Sequence, residues 1–380
     1  MSAVVITGDT SGTVTLQAPA VAGTTTLTLP ATNGTIVTTA SGQSLASPAI
    51  TGTATLNGVN MSPYTMRNRV INGAMLVSQR NGTTATTITN ATDFFGPDRW
   101  KYYRNVGGTF TTTQSSTAPA GFNYSMLTTA STGASPSAAQ YNFFQHVIEG
   151  YNTADLGWGT ANAKTMTLSF WVRSSVTGTY PISIGNNDVN RTLVSTYTIS
   201  TANTWEYKTI TIAGDTSGTW LTDNNSGIRI YFDLGSGSDH NTTTTDTWAS
   251  SFKLRTSSCV TWGATTGATF YLTGVQFEVG SAATPFEWRP YGMELALCQR
   301  YYIKLNTYGV LLCIPSTNRN DRWSVVTLPV PMRSSPTLTL TADSSVAAST
   351  ADNITITISV DALNTTTAKS WTTLVSSAEL

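Results

Sequence analysis

Carboxylates are the first residues in this chain to test for chemistry. Cleaving a glycosidic bond takes two carboxyl groups about 5 to 9.5 Å apart across the scissile bond. Asp93, Asp98, Glu149, Asp155, Glu206, Asp215, Asp223, Asp233 and Glu278 are instead scattered singly, mostly among turn residues, with no acidic pair on one strand face. They read as solvated turn positions. There is no Gly-x-Ser-x-Gly elbow and no phosphate-cradling loop. The two histidines stand apart. His146, at the edge of an apolar strand, reads as a hydrogen-bonded structural residue. His240 lies with Asp239 and Asp246 in a Gly/Ser/Thr stretch whose composition is that of a loop rather than a ligand set. Cys259, Cys298 and Cys313 form no CxxC pair, so neither a disulfide framework nor a zinc site is expected, and small buried apolar side chains account for them. The expectation is no enzyme, no cofactor and no metal.

Aromatic residues offer a different chemistry. Ten Trp and fifteen Tyr are generous for so polar a chain, and a flat apolar ring with a polar rim is what stacks on a sugar. Trp100, Trp171, Trp205 and Trp323 stand in strand-like text and are assigned to the core. Trp158, in Asp155-Leu-Gly-Trp-Gly159, and Trp220, Trp248 and Trp262 are flanked by turn residues. Those four are expected to be exposed and are the candidates for glycan contact.

The elements that must carry these rings follow from composition. Charged residues make up 11% of the chain, against about 25% in ordinary soluble domains. Lys+Arg and Asp+Glu number 20 each, so no basic field exists to attract nucleic acid or an anionic membrane. No stretch approaches the ~20 apolar residues of a membrane span, and the first residues lack the basic region of a signal peptide, so synthesis in a cytoplasm is expected. Abundant Thr, β-branched and polar, favours strands with a wet face. The fold class expected is all-β.

Residues 1–62 hold a single charge, Asp9, and no aromatic residue. Their alternating runs, Thr13-Val-Thr-Leu16 and Thr25-Thr-Leu-Thr-Leu29, cannot bury enough surface in one copy to offset chain entropy. Several copies wound together would supply the core, so residues 1–63 are read as an extended, intertwined β-stalk. From Tyr64 the aromatics begin. Strands are expected over 69–76, 98–103, 139–148, 165–173, 180–184, 193–199, 205–212, 228–232 and 270–279, with a bulge at Gly274. Together they argue a jelly-roll sandwich over 64–292. Pro285 and Pro290 forbid a central strand, and the chain is expected to leave the sandwich with Phe286, Trp288 and Tyr291 as apolar anchors. Leu295, Cys298 and Tyr302 then repeat at helical spacing. Residues 293–380 are read as a short hinge helix and a small C-terminal β-domain, with strands over 308–314, 323–328, 337–340 and 354–360.

The wording of this hinge, Gly274-Val-Gln-Phe-Glu-Val-Gly-Ser-Ala-Ala-Thr-Pro-Phe-Glu-Trp-Arg-Pro-Tyr-Gly292 followed by Glu294-Leu-Ala-Leu-Cys-Gln-Arg-Tyr-Tyr302, resembles a module of bacteriophage tail-fibre proteins. Residues 12–30 and 46–56 similarly resemble the leader and shaft text of such fibres. Val70-Ile-Asn-Gly-Ala-Met75, Leu168-Ser-Phe-Trp-Val-Arg173, the strand opening at Trp205, and Thr273-Gly-Val-Gln-Phe-Glu278 are similar, in order and rough spacing, to jelly-roll carbohydrate-binding modules. Ala74, Met75 and Leu76, and Thr273-Gly274 before Val275, depart from the motifs whose acidic groups help hold a structural calcium in those modules, so no calcium is inferred. The resemblance implies a non-enzymatic virion protein of the tail, a homotrimer. It would join other tail proteins through residues 1–63 and touch a host surface polysaccharide or outer-membrane component during adsorption. A collar, head-fibre or decoration protein with a packing role is the alternative. A glycan depolymerase is the third reading, and the long β-helical repeats such enzymes carry are missing from the text.

Overall fold

The computed structural model describes residues 3–7, 13–17, 55–56, 59–60, 66–88, 94–305, 309–311, 323–342, 346–350, 352–360 and 369–380. Residues 1–52 and 53–380 form two compact units. Within the first, Ala3–Thr7 pairs antiparallel with Thr13–Gln17. Most of the expected stalk, including the run at 25–29, lies outside the described residues, as does Cys313.

In the second unit, alternating strands build a two-sheet antiparallel sandwich. The seven-stranded sheet has the order Trp248–Ala249, Thr192–Ile199, Gly178–Gly185, Ser226–Asp233, Asn142–Glu149, Trp100–Arg104, Phe94–Phe95. Facing it, the six-stranded sheet runs Glu206–Ile212, Met166–Ser174, Ala268–Val279, Ser125–Thr132, Thr109–Ser115, Thr86–Ile88. The chain crosses repeatedly between the sheets, in the jelly-roll manner. Leu168, Phe170 and Val172 of one sheet and Ile228, Ile230 and Phe232 of the other fill the interior. Phe170 meets Phe232 edge to face across the gap, with centroids 5.1 Å apart. The Thr-rich strands Thr109–Ser115 and Ser125–Thr132 went unforeseen because each carries so little apolar text.

Residues 69–76 correct the reading most. They form turns rather than the opening strand expected there. Asn72 and Met75 adopt left-handed backbone, with φ of 59° and 57°, and a strand cannot pass through two such residues. Asparagine side chains replace the missing ladder. Asn68 Oδ1 accepts from the backbone N–H of Val70 and of Phe277, each at 3.0 Å, and its Nδ2 donates to Val275 O at 3.0 Å. Asn72 Nδ2 donates to Val77 O and Asp98 O, both at 2.8 Å.

The exit of the sandwich is likewise held by polar groups. Trp288 and Tyr291, expected to anchor it, are 49% and 58% exposed. Arg289 does the anchoring instead. Its guanidinium donates to Asn68 O and to Val70 O (3.2 Å) and pairs with Glu287 and Glu294, each at 3.3 Å. Glu294 also accepts the Asn72 N–H, and Glu287 accepts the N–H groups of Arg67 and Asn68 at 3.0 and 2.8 Å.

The helix spans Tyr291–Gln299 and buries Cys298 and Glu294. Just beyond it, Arg300 (2.9 Å through Nε) and the Tyr301 hydroxyl (2.6 Å) both donate to Glu149, at the end of a central strand. Among the described C-terminal residues, Lys369–Ser377 pairs with Tyr302–Leu305, Gly309–Leu311 and Thr337–Ala342, and Thr355–Val360 lies between Trp323–Thr327 and Val346–Thr350.

Removing one partner of a buried ionic cluster strands the others, at a cost of about 3–5 kcal/mol. Arg289→Ala is expected to lower unfolding free energy by about that much in urea titrations, whereas loss of a half-exposed ring, Trp288→Ala, costs about 1 kcal/mol. His146 supplies a second test. Burial, then the charges of Arg99 and Arg289, hold its pKa well below the usual imidazole value. The folded chain therefore keeps it neutral while the unfolded chain takes a proton below about pH 6.5. Stability should fall as pH drops through that value, by up to about 1.4 kcal/mol per pH unit from this group. The His146→Gln variant should lack that component, which the difference between the two chains' melting curves isolates from the opposing effect of Asp98 and Asp233, whose pKa values burial raises.

Candidate functional site

The outer face of the six-stranded sheet carries an exposed aromatic surface. Along Met166–Ser174 the even positions Met166, Leu168, Phe170 and Val172 are fully buried, so period-two alternation sends Thr167, Ser169, Trp171 and Arg173 outward. Trp171 therefore leaves the core to which its strand text assigned it. It pairs directly with Tyr207 on one side and Thr273 on the other, and its ring lies 5.4 Å from that of Tyr207, which is 44% exposed. Trp205, also assigned to the core, is half-buried on the same face with its ring 6.0 Å from Tyr271.

A bulge shapes this face into a groove. The register slips between Ser169 and Trp171 opposite Gly274, whose φ is +61°, a value glycine adopts without strain. A Cβ at Gly274 would stand 2.7 Å from the Phe122 ring and 3.1 Å from Trp171 Cδ1. The bare backbone is thus the floor on which Phe122 and Trp171 can close. Phe122, Phe286 and Trp288 form one ring cluster with centroids 4.9–5.2 Å apart. The resulting open groove, about 450 Å³, is lined by Phe122, Ser169, Trp171, Tyr207, Gly274 and the segment 283–286. A buried knot holds that segment: Glu278 accepts from Thr284 Oγ1 at 2.6 Å, Thr284 N at 2.8 Å and Gln276 Nε2 at 2.8 Å, with Arg67 at 3.2 Å. Flat rings over a small polar rim can stack on a pyranose.

The four tryptophans singled out from sequence fall elsewhere. Trp262 is fully buried between Phe110 and Phe270, and its expected exposure is wrong. A 3-10 turn at Trp262–Ala264 drives the ring into the sandwich, and turn text does not reveal direction. Trp158 is also buried, at 7% exposure, and meets Trp220 and Trp248 edge to face at 4.8 and 5.4 Å. Trp220 and Trp248 are half-buried. Their indole N–H groups, like that of Trp158, donate to backbone carbonyls of Ser217, Ala213 and Lys164. These three rings plug one end of the core, beside the Arg191–Asp215 fork.

The carboxylates considered for glycan cleavage are tied into the fold, apart from Asp93, which lies outside the described residues. Asp155 pairs with Arg69, Asp215 with Arg191, Asp233 with Arg255, Glu206 with Lys208 and Glu149 with Arg300. Asp98 accepts from Gln79 and Asp223 from Asn225.

No known protein family matches the chain, and no curated protein does. Solved structures resemble part of it. The enzymatically active domain of bacteriophage CBA120 tailspike protein 4 overlays 56% of this chain and 21% of its own, at 13% identity and a TM-score of 0.30. A CBM4 carbohydrate-binding module overlays 53% of this chain and all of its own, at 17% identity and a TM-score of 0.27. A family 11 module from Clostridium thermocellum, in complex with a mixed-linked tetrasaccharide, covers 53% of this chain and 98% of its own, at 13% identity and a TM-score of 0.26.

Core and surface tryptophans should separate on mutation. Trp262→Ala is expected to cost about 3–5 kcal/mol, and Trp171→Ala about 1 kcal/mol or less, read from chemical denaturation. Equal losses would mean Trp171 is a core residue.

Proposed function

We propose that this chain is a non-enzymatic tail-fibre protein of a tailed bacteriophage, whose sandwich contacts host surface glycan through the outer face of the six-stranded sheet. The groove of Trp171, Tyr207, Phe122 and Phe286 over Gly274 carries the reading, because it presents aromatic faces that the fold leaves uncovered. Trp220 and Trp248 form a secondary contact surface in this reading. Engagement of the sandwich carboxylates by arginine, lysine and amide partners supports binding over cleavage. The tail-fibre wording of residues 274–302 supports placement in the virion tail, and the core-poor leader supports a homotrimer joined to other tail proteins through residues 1–63. Several weak sites per fibre and several fibres per particle would then multiply each contact.

A collar, head-fibre or decoration role is the second reading. It is favoured by Trp288, Tyr291 and Met293, which are 42–58% exposed and could pack on a neighbouring protein.

The test is binding of the full-length protein to an array of bacterial surface polysaccharides. Trp171→Ala and Tyr207→Ala should each weaken the interaction about tenfold or more, the effect of removing a central aromatic contact. Silence of the wild type across the array would overturn the glycan reading and favour packing within the virion.

A further inference from the structure

Among the described residues Arg173 has no ionic partner, on the face proposed above to meet a glycan. It lies two residues from Trp171 on the same side of the strand, about 7 Å along it. Its Nε donates to Asn203 O at 2.8 Å, and its guanidinium carbon sits 4.9 Å over the Tyr271 ring. These two contacts orient the side chain without using the terminal nitrogens. Among the described residues no carboxylate pairs with it. Arg67, Arg69, Arg191, Arg255, Arg289 and Arg300 each face an Asp or Glu, and Arg104, Arg229 and Arg333, which like Arg173 face none, spend their terminal nitrogens on carbonyl or amide oxygens of the fold.

The sheet around it lacks competing negative charge. Its six strands contain two acidic residues, Glu206 and Glu278. Glu206 is held by Lys208 at 2.6 Å and by the N–H groups of Ser200 and Thr201. Glu278 is 1% exposed beneath Thr284. The face therefore joins an aromatic platform to one uncompensated guanidinium, whose planar fork fits a carboxylate bidentately.

We infer that the ligand of this face is an acidic polysaccharide, with Arg173 receiving the carboxylate of a uronic or other sugar acid while the neighbouring sugar stacks on Trp171 and Tyr207. The inference rests on the glycan reading given above and specifies its substrate class. Stacking supplies contact area common to all sugars, and the charge-assisted pair supplies selection among them. Tyr271 beneath the guanidinium strengthens the preference by fixing the fork before the ligand arrives.

The test uses full-length protein and an array of bacterial polysaccharides printed in native form and after reduction of their carboxyl groups to alcohols. Native acidic polymers should be retained and their reduced forms lost. Binding should weaken as salt is raised, as an ion pair at an exposed site does. Arg173→Gln should lower affinity for the acidic polymer about tenfold, and Arg173→Lys, which keeps the charge without the fork, should fall between. Melting temperatures of both variants should match the wild type, since Arg173 is half-exposed and makes no buried pair. Equal binding to native and reduced polymers, or an unaffected Arg173→Gln, would overturn the acidic ligand while leaving a neutral glycan in the groove. Absence of wild-type binding to every polymer would remove the glycan reading itself.

Discussion

A buried guanidinium holds the sandwich closed where neither of its ends is a strand. Arg289 binds the carbonyls of Asn68 and Val70 and pairs with Glu287 and Glu294, so the entry and exit of the sandwich are tied to one another, and Asn68 and Arg67 tie the entry in turn to the strand Ala268–Val279. Charges this deep are costly unless each finds a partner, and the cluster therefore fixes four segments together: 67–72, 275–278, 284–287 and the start of the helix. The groove depends on that arrangement. Its wall of Thr284, Pro285 and Phe286 is held by Glu278, and the same Glu278 is reached by Arg67 from the entry segment. A joint that looks purely structural thus sets the position of the rings that would meet a ligand.

Much of the architecture was legible in the alternation of apolar residues. Strands such as 165–173, 193–199 and 228–232 were placed within a few residues because Leu168, Phe170, Val172 and their equivalents repeat at period two. The bulge at Gly274 was also visible, as a slip in the apolar parity of Phe270 to Val279. What failed was the step from alternation to direction. Trp171 sits in the same run as Phe170 and Val172 but on the opposite parity, so the rule that located the strand also puts this ring outside. The same parity puts Trp205 outside, opposite to the buried Ile210 and Ile212.

Other features had no local signal. Nothing in Val70-Ile-Asn-Gly-Ala announces that Asn68 and Asn72 side chains will replace a strand ladder, because their partners Phe277 and Asp98 lie far away in sequence. Trp262 reads as a loop residue, and only the fold turns its ring inward. Of the apolar residues Phe286, Trp288 and Tyr291, the first two pack on Phe122 while Tyr291 stays exposed, and the buried ties of the exit are made by the charged residue between them, Arg289. In a chain this poor in charge, ions such as Arg289, Glu278 and Glu149 each hold a joint of the fold, and composition alone does not say which.

Wherever the partner comes from, a rigid sheet face carrying rings is the surface that distinguishes this account from one built on the loop tryptophans. Hydroxyl-radical footprinting of the full-length protein, with and without a polysaccharide it retains, reads both surfaces in one experiment. Protection should concentrate on Trp171, Tyr207, Phe286 and Trp288, with lesser change at Trp220 and Trp248 and none at the buried Trp262. Protection confined to Trp220 and Trp248, with the outer sheet face unchanged, would contradict it.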